Sequence, residues 1–277
     1  MCRFLLSLSL VLGVQLLGCP MAPAQSTFDH FGSARADGLS RATTAAPTAW
    51  GAHANPATNA AISNYAASFY AQEAFGLSPL RYGAVSLVAP FEWGTVVGGS
   101  STFGFDEYRE VHFNAGMARG FSFGTTRSFH LGATLRHHHT RIAGYGSASG
   151  WALNLGLLVE MLPSLHLGAH ATNVNGASLT DGEPLPRTLS LGLHYQAHDD
   201  VRVLMDVFKD VSFPATARAG VEVRPLDVLA LRAGVSTVPT RFSGGVGVTL
   251  GPLEADVAAQ QHQQLGWSPS ASLRLHW

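Results

Sequence analysis

From about residue 62 to the C-terminus, apolar side chains alternate with polar or very small ones, segment after segment. Period two is the repeat of a β-strand, whose successive side chains point to opposite faces. In residues 217–224, Ala217, Ala219, Val221 and Val223 share one face while Arg218, Gly220, Glu222 and Arg224 share the other. In residues 253–260, Leu253, Ala255, Val257 and Ala259 oppose Glu254, Asp256, Ala258 and Gln260. The last segment sets Ala271, Leu273, Leu275 and Trp277 against Ser270, Ser272, Arg274 and His276. Fourteen such segments begin near Ile62, Leu80, Thr95, Arg109, Phe129, Trp151, Leu165, Thr188, Val201, Thr216, Leu229, Arg241, Leu253 and Ser270. Each runs roughly 8–12 residues, the length a tilted strand needs to cross a bilayer. The pattern predicts an all-β fold, a 14-stranded antiparallel transmembrane outer-membrane β-barrel over residues 62–277.

A secreted β-sandwich or a soluble lipocalin-like barrel would alternate in the same way, with its apolar face turned inward. Two features oppose that reading. The polar face is rich in glycine (Gly132, Gly156, Gly168, Gly192, Gly220, Gly234), where a solvated face should carry lysine and glutamate. Lys209 is the sole lysine, and charged residues make up 13% of the chain, about half the usual share. After the leader no apolar run is long enough for a membrane-spanning helix.

The N-terminus reads as an export signal. Arg3 precedes an apolar stretch from Phe4 to Leu17, and Ala22-Pro23-Ala24 offers small residues for cleavage, giving a signal peptide over 1–24 and a mature start at Gln25. Leu16-Leu17-Gly18-Cys19 also resembles a lipobox, a second way to process the same leader. Both cysteines, Cys2 and Cys19, fall in this leader, so the chain carries neither a disulfide framework nor a cysteine-ligated metal. A formal net charge of −1 gives no footprint for nucleic acid.

Turn lengths orient the barrel. Links after even-numbered segments are tight, as at Gly251-Pro252, whereas residues 140–148, 173–186 and 261–269 make longer links after odd-numbered ones. Short periplasmic turns and longer external loops then place both barrel termini on the periplasmic side. The fourth link, residues 119–127, breaks this rule. Trp277 supplies the terminal aromatic expected of an assembly signal read by the barrel-assembly machinery.

Residues 25–61 do not alternate and are rich in alanine, threonine and glycine. Fourteen strands at about 4.8 Å spacing and about 40° tilt close at a radius of roughly 14 Å, too wide for glycine-lined walls to fill. The segment therefore reads as a hatch within the lumen rather than a periplasmic tail, in keeping with Phe28, Phe31 and Trp50.

Within this segment, Arg35-Ala36, Gly38-Leu39, Ala42, Ala49-Trp50 and Asn55-Pro56-Ala57 resemble the N-terminal signature of the PorV/PorQ family of outer-membrane proteins, related to FadL-type long-chain fatty-acid transporters. The likeness continues through Leu80-Arg81-Tyr82-Gly83, Gly144-Tyr145-Gly146-Ser147-Ala148, Asn173-Val174-Asn175-Gly176 and Leu265-Gly266-Trp267-Ser268. It implies a fourteen-stranded barrel with an N-terminal hatch. The family pattern has Gly-Gly where this chain has Ser40-Arg41, and an acidic pair where it has Pro47-Thr48. The chain is also shorter than typical members, mainly in its outer loops.

Candidate site residues fall into three groups. Arg35, Gly38, Trp50, Asn55, Pro56 and Ala57 form a hatch motif, with Asn55-Pro56 placed where the hatch gives way to the first strand. Proline there is read either as a kink, which the resemblance links to a lateral passage, or simply as a turn. Arg136, Arg202, Asp206, Arg218, Glu222, Arg224, Arg232, Glu254, Asp256 and Arg274 are lumen-side charges expected to pair with one another and with Asp29, Asp37, Arg35 or Arg41 of the hatch. His137-His138-His139 presents at most His137 and His139 to one face and reads as interfacial rather than as a metal site. Trp93, Phe113, Trp151, Tyr195, Trp267 and Trp277 are expected to point outward as aromatic girdles.

No G-x-S-x-G nucleophile motif is present, and no enzyme, metal or cofactor is implied. The resemblance implies passive transport of small hydrophobic molecules across the bacterial outer membrane. The alternative is an interaction component of type IX protein secretion that docks secreted cargo proteins at the cell surface, with outer-membrane lipids as surroundings in either case.

Overall fold

The computed structural model describes residues 32–123, 127–180 and 182–277. The leader, Phe28, Asp29 and Phe31 lie outside the described residues. Among the described residues, a short helix, α1 (Ala34–Gly38), and a 3-10 helix over Pro56–Ala61 precede the barrel. The strands are β1 (Ala66–Glu73), β2 (Arg81–Phe91), β3 (Gly94–Gly104), β4 (Tyr108–Phe123), β5 (Arg127–Ile142), β6 (Gly146–Leu162), β7 (Leu165–Ala171), β8 (Ser178–Thr180), β9 (Glu183–Pro184), β10 (Thr188–His198), β11 (Val201–Asp210), β12 (Thr216–Leu226), β13 (Leu229–Thr237), β14 (Thr240–Leu250), β15 (Leu253–His262) and β16 (Gly266–His276).

Fourteen of these strands close into one antiparallel barrel, each paired with its chain neighbours, while β8 and β9 form a separate small hairpin in the link between β7 and β10. The ring is sealed by β1 against β16, in a register running from Ala66 opposite His276 to Gln72 opposite Ser270. The predicted alternation maps directly onto burial. In β11, Leu204, Asp206, Phe208 and Asp210 face inward, and Met205, Val207 and Lys209 face out. Leu87, Leu191, Met205, Val207 and Leu273 are each half or more exposed. A belt of such side chains around the barrel far exceeds the apolar patches a water-soluble monomer shows, so its medium is lipid. Trp93, Phe113, Trp151, Tyr195, Trp267 and Trp277 all point outward. At the rim where the chain ends, Trp277 stacks on Tyr65 and Phe91 on Trp93, with ring centroids 6.1 and 5.2 Å apart.

Three expected links turn out to be strand. Residues 119–127 mostly extend β4 and β5, whose pairing runs down to Phe123 opposite Arg127. Long strands thus explain the misfit fourth link. At the outer end, β5 and β6 meet in a tight turn after Ile142, and β15 and β16 do so after His262. The alternation weakens there because outer strand ends leave the lipid and need no apolar face. Of the links expected to be long, that over 172–187 is the one that stays so.

Strand lengths are uneven, with 16, 16 and 17 residues in β4, β5 and β6 but 7 in β7. Pairing between β6 and β7 begins at Leu155 opposite Ala171, so the outer half of β6 rises above its shorter neighbour.

Candidate functional site

The N-terminal segment fills the bore. Leu39, Ala42, Ala46, Ala57, Thr58 and Asn59 are completely enclosed. It lies directly on the wall at several of the lumen-side glycines. A Cβ at Gly132 would lie 2.5 Å from Ala57 N, at Gly156 2.1 Å from Asn55 Oδ1, at Gly168 2.4 Å from Thr44 O and at Gly234 2.6 Å from Leu39 C. Gly132 faces Gly156 across β5 and β6, Gly168 faces Gly192 across β7 and β10, and Gly220 faces Gly234 across β12 and β13. The lumen-side glycines are therefore a girdle that admits the hatch, an arrangement no substituted side chain would leave room for.

Polar contacts fix the hatch within this girdle. Asn55 caps the 3-10 helix by accepting from Ala57 N (3.1 Å), and its Nδ2 donates to Thr44 O (2.7 Å) and to the wall carbonyl Leu157 O (3.1 Å). Pro56 takes the first position of that helix, where its missing N–H costs nothing. The first strand starts only at Ala66, so Pro56 kinks no strand, and the expected place of the motif at the hatch–strand junction is corrected. The Asn55-Pro56-Ala57 motif instead seats the hatch on β5 and β6.

Asp37 is the hub at the other end. Its carboxylate accepts from Tyr70 Oη, Gln72 Nε2 (3.2 Å) and Arg41 Nε (3.1 Å), and its carbonyl accepts from Gln260 Nε2 (3.2 Å). Gly38 packs on β14, where a Cβ would sit 3.3 Å from Gly245 Cα. Ser40 and Arg41 both adopt left-handed backbone with φ of 49° and 64°. Ser40 is held there by hydrogen bonds from its N and with its Oγ to Ser243 Oγ (3.0 and 2.8 Å). Trp50 is buried with its ring edge-on to Tyr70 at 6.2 Å.

The lumen charges form one main network. Glu222, fully enclosed, accepts from Arg35 Nε (2.8 Å) and Nη2 (3.2 Å), Arg202 Nη1 (2.8 Å) and Arg232 Nε (2.6 Å), with Arg224 at 3.8 Å. Arg232 Nη1 also reaches Asp256 at 2.6 Å, and Arg274 pairs with Glu254. Asp206 accepts from the hatch at Thr44 N (3.0 Å) and Oγ1 (2.6 Å), and the Arg218 guanidinium lies 4.1 Å over the Phe208 ring. Arg136 stands apart. Its Nε donates to Asn114 Oδ1 (2.6 Å), and it has no acidic partner among the described residues.

Above the girdle, on the outer side, lies a cavity of about 410 Å³ lined by Tyr108, Glu110, His112, Arg136, His138, Ile142, Ala152, Asn154, Thr172, Asn173 and Leu185 among others. His138 points into it, its ring 4.5 Å from that of His112, whereas His137 faces outward against Trp151 at 4.5 Å. Among the described residues no cluster of three or more metal-ligating side chains is set to hold an ion.

Beside this cavity the wall changes character. Where β6 outruns β7, it stays paired with β5 on one edge, while on the other edge the 172–187 link takes the place of a barrel strand. Asn175 Oδ1 accepts from Leu153 N (2.8 Å), Asn175 Nδ2 donates to Trp151 O (2.8 Å), and Val174 N donates to Leu153 O (2.9 Å). Asn173, buried and left-handed at φ 51°, braces the link through Ala177 N, Ala177 O and Leu185 O and donates its own N–H to Asn154 Oδ1. A side-chain amide thus stands in for a ladder strand along a short seam between cavity and lipid. These asparagines escaped functional reading in the sequence, where they look like a turn.

No protein-family model and no curated protein matches the chain. Solved structures do match across nearly its whole length. The Ralstonia pickettii toluene transporter TbuX superposes with a TM-score of 0.60 at 14% identity, covering 91% of this chain and 100% of that one. A Pseudomonas aeruginosa FadL homologue gives 0.60 at 12% identity over 89% and 98%. The Pseudomonas putida toluene transporter TodX gives 0.58 at 15% identity over 90% and 98%. At such identities the likeness is one of fold. The fold is that of FadL-type outer-membrane barrels, and with the lipid-facing belt it places the protein in the bacterial outer membrane.

Proposed function

We propose that the protein is a passive channel for small hydrophobic molecules. The carrying observation is the outer cavity set against a seam in the wall while the hatch fills the bore beneath it. A filled bore offers no straight aqueous path, so an apolar solute captured in the cavity leaves most directly sideways, where, among the described residues, three side-chain hydrogen bonds and one backbone bond tie the link to β6. Opening that seam costs few contacts compared with parting two laddered strands, at roughly 0.5–1.5 kcal/mol per hydrogen bond. The named functions of TbuX and TodX as toluene transporters support the same class of solute. A PorV/PorQ-like docking role in type IX secretion draws no comparable support, since most outer turns are tight.

The test locks the seam. Leu153→Cys with Val174→Cys places thiols on residues already joined backbone to backbone. Toluene uptake is then compared in cells with and without the protein, under oxidising and reducing conditions. Faster uptake with the reduced pair and loss on oxidation are expected. Uptake independent of the protein refutes transport, and uptake insensitive to oxidation refutes the sideways exit.

A further inference from the structure

Two arginines stand side by side on the outside of the long β4–β5 pair. Arg109 lies directly opposite Arg141, and both are exposed. Facing residues of an antiparallel pair have Cβ atoms about 4.5–5.5 Å apart, and like charges at that spacing repel. The alternation fixes their direction, since Glu110, His112 and Asn114 are buried between the outward positions Arg109, Val111 and Phe113. On the same face His139 sits opposite Val111 and Ser149, and Ser147 sits opposite Arg141. Two guanidiniums, an imidazole and two hydroxyls thus offer hydrogen-bond donors at one spot. Asp106, on the exposed turn between β3 and β4, lies 3.6 Å from Arg109 Nη2, too far for a hydrogen bond, and an exposed ion pair of that kind contributes little. Arg141 makes no ion pair among the described residues. Arg81, another cation of the outer rim, contrasts with both, since its Nε meets Glu73 at 3.0 Å.

Height supplies the second observation. Up the outside of β5 the residues run Leu135, then His137 against Trp151, then His139 and Arg141. At about 3.3 Å per residue and about 40° of tilt, His139 stands roughly 5 Å and Arg141 roughly 10 Å above the level of Trp151. Aromatic rings mark the edge of the hydrocarbon core, and the headgroup layer beyond it is about 5–7 Å thick. Arginine stems are long enough to reach back into that layer. A phosphate set between the two guanidiniums would turn their repulsion into charge-assisted, bidentate bonds.

We propose that this face docks the phosphorylated headgroup of an outer-leaflet lipid, with the phosphate held between Arg109 and Arg141. His139 and Ser147 donate to its oxygens, and the acyl chains lie down over the exposed Phe113, Leu135 and Trp151. The site is on the outside of the barrel, apart from the cavity, and stands whether or not a solute crosses the wall.

The experiment is native mass spectrometry of the purified protein in detergent micelles, titrated separately with bis-phosphorylated lipid A, with its dephosphorylated form and with inorganic phosphate. The phosphorylated lipid is expected to bind roughly 10- to 100-fold more tightly than the dephosphorylated one, the worth of charge-assisted bonds to one phosphate. Arg109→Gln with Arg141→Gln should abolish that difference, and Arg109→Lys with Arg141→Lys should keep part of it. Arg119→Gln with Arg127→Gln removes two exposed charges from the opposite ends of the same strands and should leave it unchanged. The wild-type comparison needs no variant to fold. Equal binding of the two lipids by wild type, undiminished preference after Arg109→Gln with Arg141→Gln, or the same loss in the Arg119 and Arg127 control overturns the proposal. Inorganic phosphate binding as tightly as the phosphorylated lipid overturns it too, in favour of a simple anion site.

Discussion

Gly156→Ala tests the girdle with the smallest possible change. The new methyl carbon would lie 2.1 Å from Asn55 Oδ1 and 2.8 Å from both Ala57 N and Pro56 Cδ, where ordinary contacts lie at 3.4–4 Å. Asn55 must then move by more than 1 Å. That displacement breaks its bonds to Ala57 N, Thr44 O and Leu157 O, each already within 3.1 Å. Three hydrogen bonds at about 0.5–1.5 kcal/mol each amount to roughly 1.5–4.5 kcal/mol. At tenfold per 1.4 kcal/mol, opening of the hatch should become about ten- to a thousand-fold more frequent. Hydrogen exchange at the Ala57 amide in the micelle-embedded protein reads this directly, and heat-modifiable electrophoretic mobility shows that the barrel itself remains closed. Gly98→Ala is the control, because its nearest neighbour would be 3.8 Å away. Adding Asn55→Ala to Gly156→Ala removes the clash partner, so the double variant should be less damaged than the sum of the two. Wild-type exchange at Ala57 in Gly156→Ala would show that the hatch does not rest on the wall as described.

Two further outcomes follow from buried charge. Burial, followed by the positive charge of Arg136, lowers the His53 imidazole from 6.5 to about 4, against a raising contribution from its hydrogen bond to Val85 O. A depressed base binds its proton more readily when the hatch is released. Its stabilisation is therefore complete above about pH 6.5 and is lost as pH falls toward 4, by on the order of 3 kcal/mol. The Trp50 ring lies 5.9 Å from His53, so an emission change over that interval is expected in wild type and not in His53→Gln, and a flat wild-type profile contradicts the assignment. Glu222→Gln leaves Arg35, Arg202 and Arg232 without their shared carboxylate and should cost roughly 3–5 kcal/mol. Its measure is the denaturant needed to expose the hatch to protease; an unchanged midpoint would mean that the network does not anchor the segment.

The barrel was legible because lipid on one side forces every outward position to be apolar, a constraint visible at each pair of residues. That constraint ends where the strands leave the membrane, which is why Thr140, Ala148 and Pro269 look like loop and the long β4–β5 hairpin looks like an overlong turn. Within the hatch, small residues and an Asn-Pro step mark a compact segment, but its partners come from strands between 32 and 238 residues away. No local pattern shows that Gly156 faces Asn55 or that Glu222 gathers Arg35. Alternation does put Arg136 on the inner face. That no acid pairs with it among the described residues depends on what surrounds it in three dimensions, and was out of reach of the pattern alone. The seam was hidden for a similar reason, since Asn175 substitutes for a strand only because β7 stops at Ala171.

The seating of the hatch also bears on the order of assembly. Ala34 N donates to Ser272 Oγ on the final strand, Asp37 holds residues of β1 and β15, and Asn55 reaches β6. The first part of the described chain can therefore settle only once the first and last strands stand side by side. A segment that lacks its seat until the ring closes would invite misassociation if it were greasy. Alanine, threonine and serine, with few large apolar side chains, suit a piece of chain that must stay soluble until the ring has shut around it.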